Sequence, residues 1–242
     1  MKISASSFLS AASAPKLASM QIRQAVTILL AIFLLNSTAQ SASFLCQLAK
    51  SKTEKTICRN PELSTLDEHM AQYYAAARSA LKPADSCLVN DQKNWLRSKR
   101  DTCKNADCLR NVYLRRLAEL DPLQPGVTRI RHTELPSVKA LVWIVPPALD
   151  RVAAPVNKQA KPLAAQGAIL SEVSGGDGYV LRAKDGKRRL IVPLMFLESP
   201  TTETLASLAR LGGEYQVQGY ADGSGHFAPD RCVFIYRTAT EW

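Results

Sequence analysis

The chain has 242 residues and a net charge of +10, with 46% hydrophobic and 21% charged residues. This composition is typical of globular proteins and excludes a collagen-like or wholly disordered chain. The longest uncharged apolar run, residues 25–35, is too short to cross a bilayer as a helix, which excludes a multi-pass membrane protein.

The N-terminal segment has the pattern of a signal peptide. Lys16 and Arg23 precede the apolar run, small residues follow it from 37 to 43, and no acidic residue occurs before Glu54. The alternative is a short buried helix. We predict a signal peptide over residues 1–43, and we hypothesise that translation starts at Met20, which would give a leader of ordinary length. Cys46 follows Phe and Leu, so no lipid anchor is expected.

Export determines where the protein acts. Removing residues 1–43 removes three basic residues and no acidic one, which leaves a net charge of +7. We expect a periplasmic or secreted protein with no membrane span after cleavage. Anionic cell-envelope surfaces are then its expected neighbours, and no nucleic acid partner is predicted.

The six cysteines all follow the signal peptide, and an even number in an oxidising compartment predicts disulfides. Zinc binding is the competing interpretation, but no second close cysteine pair and no nearby histidine would complete four ligands. We predict no metal and no cofactor. Short loops favour the pairs Cys46–Cys58 and Cys103–Cys108, which would leave Cys87 and Cys232 free or joined to each other.

The first half of the mature chain lacks glycine and has helical periodicity. We expect one helix capped by Ser64 that ends near Lys82, a second over about residues 87–103, and a third over about residues 106–120. Residues 44–120 would therefore form a small helical bundle. A core of that size is marginal without disulfides.

Residues 44–120 also resemble the LprI-like lysozyme-inhibitor domain of bacterial exported proteins. The resemblance rests on the following motifs, in this order: Phe44-Leu-Cys46, Thr53-Glu54, Ile57-Cys58, Pro61-Glu62-Leu63, Leu66-Asp67, Tyr73-Tyr74, Gln92-Lys-Asn-Trp95-Leu96, Arg100-Asp101-Thr102-Cys103, Cys108-Leu109 and Tyr113-Leu-Arg115-Arg116. It implies a helical, disulfide-stapled exported module that, for some members, inhibits lysozyme. Cys87 is not part of this pattern.

Most motif residues are expected to build the module and not to contact a partner. Aromatic and apolar residues at helical spacing supply a small core, and the acidic ones cap helices or meet arginines. This structural group comprises Glu54, Leu66, Asp67, Tyr73, Gln92, Trp95, Arg100 and Tyr113. Contacts are instead expected from exposed loops: first Lys50, Ser51, Lys52 and Lys55, then Lys104 and Asn105.

Residues 121–166 hold seven of the 13 prolines and are predicted to be a linker, within which residues 140–145 read as a strand. From 167 to 242, strands are expected over 168–173, 179–183, 188–194, 214–220 and about 231–237, with a helix over 202–211. This is the strand order of a small OB-like barrel. The predicted fold class is thus α+β, an N-terminal helical bundle followed by a C-terminal OB-like β-barrel.

No catalytic motif is found among the three histidines, and no nucleophile elbow or P-loop is present. We expect a non-enzymatic binding protein whose helical module inhibits lysozyme. The alternative is a cell-envelope adaptor or stress protein whose β module binds a protein or a glycan, and a hydrolase ranks third.

Overall fold

The computed structural model describes residues 42–82, 84–125, 135–147, 160–228 and 230–238. The predicted signal peptide lies outside the described residues except for its last two positions. All described residues lie within one compact unit, Ser41–Trp242. No helix among them is both long and apolar enough to cross a membrane.

The first half is helical. Helix α1 spans Lys52–Arg59, α2 spans Pro61–Ala80, α3 spans Asp85–Trp95 and α4 spans Ala106–Leu120. Helix α3 continues into a π-helical turn, Leu96–Arg100. Two short 3-10 turns, Cys46–Leu48 and Asp121–Leu123, flank the helical part.

The start of α2 differs from the prediction. Helix α2 begins at Pro61, where Asn60 is the cap and its side-chain oxygen accepts from the Leu63 amide at 3.2 Å. Pro61 suits this position because its missing N–H would have no helical partner. Ser64 therefore does not cap α2; it is buried and its hydroxyl donates to the Ile57 carbonyl.

The second half is a sheet with one helix. The strands are β1 (Lys139–Val145), β2 (Lys161–Glu172), β3 (Gly178–Arg182), β4 (Arg189–Pro193), β5 (Tyr215–Ala221) and β6 (Val233–Thr238). A 3-10 turn, Leu194–Phe196, and helix α5, Ser199–Leu211, lie between β4 and β5. The α+β class is confirmed.

All neighbouring strands are antiparallel, in the order β1-β6-β5-β2-β3-β4. The sheet is open, with β1 and β4 at its edges, whereas the prediction was a closed barrel. Strand β1 occupies the free side of β6, and β2 begins at Lys161, inside the predicted linker. The predicted domain boundaries stay predictions.

One hydrophobic core runs through the helices and the sheet. Strand β1 packs against α4 and the Asp121–Leu123 turn, and its last six residues are all buried. Helix α5 packs against β2. The core therefore holds α4 and the β1 end of the sheet against each other.

Three disulfides join this framework: Cys46–Cys58, Cys103–Cys108 and Cys87–Cys232. The first two are the pairs that short loops favour. The third links α3 to the residue preceding β6 across a sequence separation of 145. The helical part and the sheet are thus covalently joined.

Candidate functional site

The first predicted contact segment, Lys50–Lys55, is the N-terminus of α1 and not a loop. The Ser51 hydroxyl accepts from the Glu54 amide at 3.0 Å, while the Glu54 carboxylate accepts from the amides of Ser51 at 2.8 Å and Lys50 at 2.7 Å. These backbone hydrogen bonds lower the pKa of Glu54. This capping box fixes the segment and leaves Lys50, Lys52 and Lys55 exposed.

The second predicted contact pair, Lys104 and Asn105, lies between the third and fourth helices. The Asn105 side-chain oxygen accepts from the Cys108 amide at 2.8 Å and caps α4. Lys104 is exposed beside it. Of this pair, only Lys104 is available to a partner without loss of a helix cap.

The motif residues form the interior of the helical part. Asp67, only 4% exposed, accepts from the Tyr113 hydroxyl at 2.5 Å and from the Ser43 hydroxyl and amide at 2.6 and 2.9 Å. Tyr113 packs edge-on against Trp95, with ring centroids 5.6 Å apart. Leu66, Tyr73 and Gln92 are buried, and Arg100 pairs with Asp101.

A cleft with a volume of about 850 Å³ opens between the helices and the sheet. One wall is α3 with its π-helical turn, and the other is α4. The floor comes from β5 and β6, with residues 137–139 at the start of β1. π-helical turns recur at functional sites, so the turn in the α3 wall, together with the volume of the cleft, makes the cleft a candidate site.

A buried arginine links α3 and α4, the two walls of the cleft. The Arg116 guanidinium donates to Asp91 and Glu119 at 2.5 Å each and to the Gln92 amide oxygen at 3.0 Å. Burial raises the pKa of Glu119 above its ordinary value even though Arg116 opposes the shift. The two carboxylates, at 29% and 28% side-chain exposure, face the cleft.

The floor of the cleft is polar. Gln216 and Gln218 alternate with buried Val217 on β5, so both amides lie on one face. Tyr236 is the cross-strand partner of Gln216 and also lines the cleft. The Gln216 Oε1 atom is buried and has no hydrogen-bond partner within the described part of the chain.

Three cations lie around the cleft: Lys99 on the π-helical turn, Arg115 on α4 and Lys139 on β1. None of them forms an ion pair with another described residue. Counted with Arg116, Asp91 and Glu119, the lining has two more positive than negative charges. The cleft therefore attracts anions while also offering carboxylate acceptors.

A Ser-His-Asp cluster occurs in the turn after β5, but its hydrogen bonds do not suit a hydrolase. The Ser224 hydroxyl donates to Asp222 at 2.7 Å and lies 2.8 Å from the His226 Nδ1 atom. Since the hydroxyl proton is directed to Asp222, it is not directed to His226 as a general base would require. The arrangement closes a tight turn.

The cleft was not found by sequence reasoning. Arg115 and Arg116 were noted only within a motif, and Lys139, Gln216 and Tyr236 were not singled out. The one local signal was the Gln-Val-Gln alternation in β5, because a strand with a solvated face would place amides there. These residues come together only because helices and strands that are far apart in the sequence pack or pair with one another.

No protein-family model, curated protein or solved structure matches this chain. The resemblance to the LprI-like domain thus rests on the motif residues alone.

Proposed function

We propose that this chain is an exported, non-enzymatic binding protein that inhibits lysozyme through the exposed face at the N-terminus of α1. The observation that carries the proposal is the rigid presentation of Lys50, Lys52 and Lys55. A capping box and the Cys46–Cys58 disulfide hold these lysines, and no other role in the fold uses their side chains among the described contacts.

The chemistry of such inhibition is simple. Lysozymes keep two carboxylates in their substrate cleft. An ammonium group placed between them gains charge-assisted hydrogen bonds in a partly desolvated site, and steric occlusion alone then prevents substrate binding. A preordered helix N-terminus binds at a lower entropy cost than a mobile loop.

Long-range electrostatics oppose this contact when the lysozyme is itself basic. The mature chain carries a net charge of +7. Association should then be slow at low salt, where screening is weak, and should accelerate as salt is added. This salt dependence distinguishes insertion of a local basic group from general charge attraction.

The test is inhibition of lysozyme activity by the purified mature protein. The triple variant Lys50→Ala, Lys52→Ala, Lys55→Ala should raise the inhibition constant at least tenfold. A control variant with three exposed lysines replaced elsewhere, at Lys82, Lys93 and Lys187, should match the parent protein or inhibit slightly better. No inhibition by the parent protein would refute the proposal.

A second candidate function is that of a cell-envelope adaptor whose sheet part binds a protein or a glycan. The cleft favours it, because its floor is formed by β5 and β6. The chain order of β2 to β6, with α5 between β4 and β5, also supports it, because this is the order expected of an OB-like fold and such folds bind sugars, nucleic acids and proteins. Retention of envelope components by the immobilised protein, lost on filling the cleft, would support it.

A further inference from the structure

We propose that the cleft between α3, α4 and the sheet binds a sugar chain that carries carboxylate groups. The proposal goes beyond lysozyme inhibition and does not depend on it, because it uses none of the lysines at the start of α1. The cleft has a volume of about 850 Å³, in the upper part of the range of about 300–1,000 Å³ that ligand sites occupy.

The floor of the cleft contains an unpaired acceptor. The Gln216 Oε1 atom has no hydrogen-bond partner in the described residues, although Gln216 lines the cleft. This atom is itself buried, so a ligand reaches it only when the Gln216 amide rotates toward the cleft. A sugar hydroxyl would then supply the donor that the atom lacks.

Two carboxylates also line the cleft. Asp91 and Glu119 act only as acceptors. Each accepts from Arg116 through a single oxygen, Oδ2 of Asp91 and Oε2 of Glu119. Their other oxygens are available to accept at the cleft wall. Two acceptors flanking a guanidinium are suited to neighbouring hydroxyl groups, which a sugar ring carries and an acidic peptide does not.

The net positive charge of the cleft favours an anionic ligand. Lys99, Arg115 and Lys139 have no anionic partner in the described residues and approach the cleft from three different elements. A neutral sugar would leave all three without a counter-charge. Carboxylates along a sugar chain would pair with these cations while its hydroxyls meet Asp91 and Glu119.

An aromatic pair lies next to the polar floor. Phe234 and Tyr236 lie on the same face of β6, with their rings 6.4 Å apart and nearly parallel at 16°. Tyr236 lines the cleft and Phe234 is half-buried beyond it. Tyr236 is only 8% exposed, so the pair mainly shapes the floor and gives a sugar ring a small apolar edge to contact.

The test is titration calorimetry of the whole mature protein with three probes. Hyaluronan hexasaccharide and chitohexaose both contain N-acetylglucosamine, but only the first carries carboxylates. A hexaglutamate peptide carries carboxylates without sugar rings. We expect binding of hyaluronan hexasaccharide that weakens with added salt, and at least tenfold weaker binding of the other two.

Variants locate the site. Lys99→Gln with Lys139→Gln should weaken binding of hyaluronan hexasaccharide about a hundredfold, roughly tenfold for each of the two charge-assisted hydrogen bonds lost. Lys82→Gln with Lys187→Gln, which removes two exposed lysines outside the cleft, is the matched control and should change nothing. Gln216→Leu should weaken binding about fivefold without lowering the thermal midpoint, because it removes an unpaired atom.

The possible outcomes separate the alternatives. Equal or tighter binding of chitohexaose overturns the requirement for carboxylates, and tighter binding of hexaglutamate overturns the sugar. Binding unaffected by the cleft variants overturns the location, and failure of all three probes overturns the proposal. Because the lysozyme assay uses different residues, either proposal can fail alone.

Discussion

Removing the Cys87–Cys232 bond should destabilise the protein more than removing either of the other two. In the chain-entropy treatment a disulfide stabilises by restricting the unfolded chain, and the effect grows with the logarithm of the enclosed loop. The separation of 145 corresponds to about 5 kcal/mol at 25 °C, the separation of 12 in Cys46–Cys58 to about 3 kcal/mol, and the separation of 5 in Cys103–Cys108 to about 2 kcal/mol.

The assay is urea unfolding of two double variants under oxidising conditions, followed by fluorescence and by circular dichroism. Cys87→Ala with Cys232→Ala should lose about 3 kcal/mol more unfolding free energy than Cys103→Ala with Cys108→Ala. Equal losses in the two variants would refute the entropy argument. Two separate transitions in the first variant would show that the helical part and the sheet fold independently once the bond is removed, as the predicted domain division requires.

Three further outcomes are expected. Tyr113→Phe removes the hydroxyl that donates to buried Asp67 and should cost about 1–3 kcal/mol in chemical denaturation, whereas full stability would mean that the remaining donors suffice. The pKa of Asp185 is lowered to about 2, mainly by the hydrogen bond from the Arg188 backbone N–H. The contribution of Asp185 to stability should therefore be complete above about pH 4 and lost as the pH falls through about 2. A carboxyl NMR titration of Asp185 with a midpoint near 4 would contradict this. Gly178→Ala should destabilise by about 1–3 kcal/mol because its Cβ would lie 2.6 Å from a carbonyl oxygen of β4, whereas Gly223→Ala, with open space, should be nearly neutral in thermal unfolding.

Features set by local sequence were predicted closely. Helix α4 has the predicted bounds, and strands β3 to β6 each lie within a few residues of the predicted segments. Alternation and glycine-rich turns specify such strands without reference to the rest of the chain. The two short-range disulfides depend on the same local information.

Features set by distant contacts were missed. The start of α2 was misplaced for a different reason, because the local signal of an Asn60 cap followed by Pro61 was passed over in favour of Ser64, which lies inside the helix. The sheet was expected to close because nothing local shows that β1 would pair with β6 and occupy its free side. The cleft depends on the same pairing, so its residues come together only once α4 is packed on β1.

The Cys87–Cys232 bond has a consequence for a chain that has been cut. Helix α3, which carries Asp91, and strand β6, which carries Tyr236, form facing parts of the cleft, and the bond lies at the start of each. Hydrolysis of a single peptide bond between residues 87 and 232 therefore leaves two fragments that stay covalently linked. A nicked molecule would migrate as one species on a non-reducing gel and as two after reduction, with both sides of the cleft still tethered.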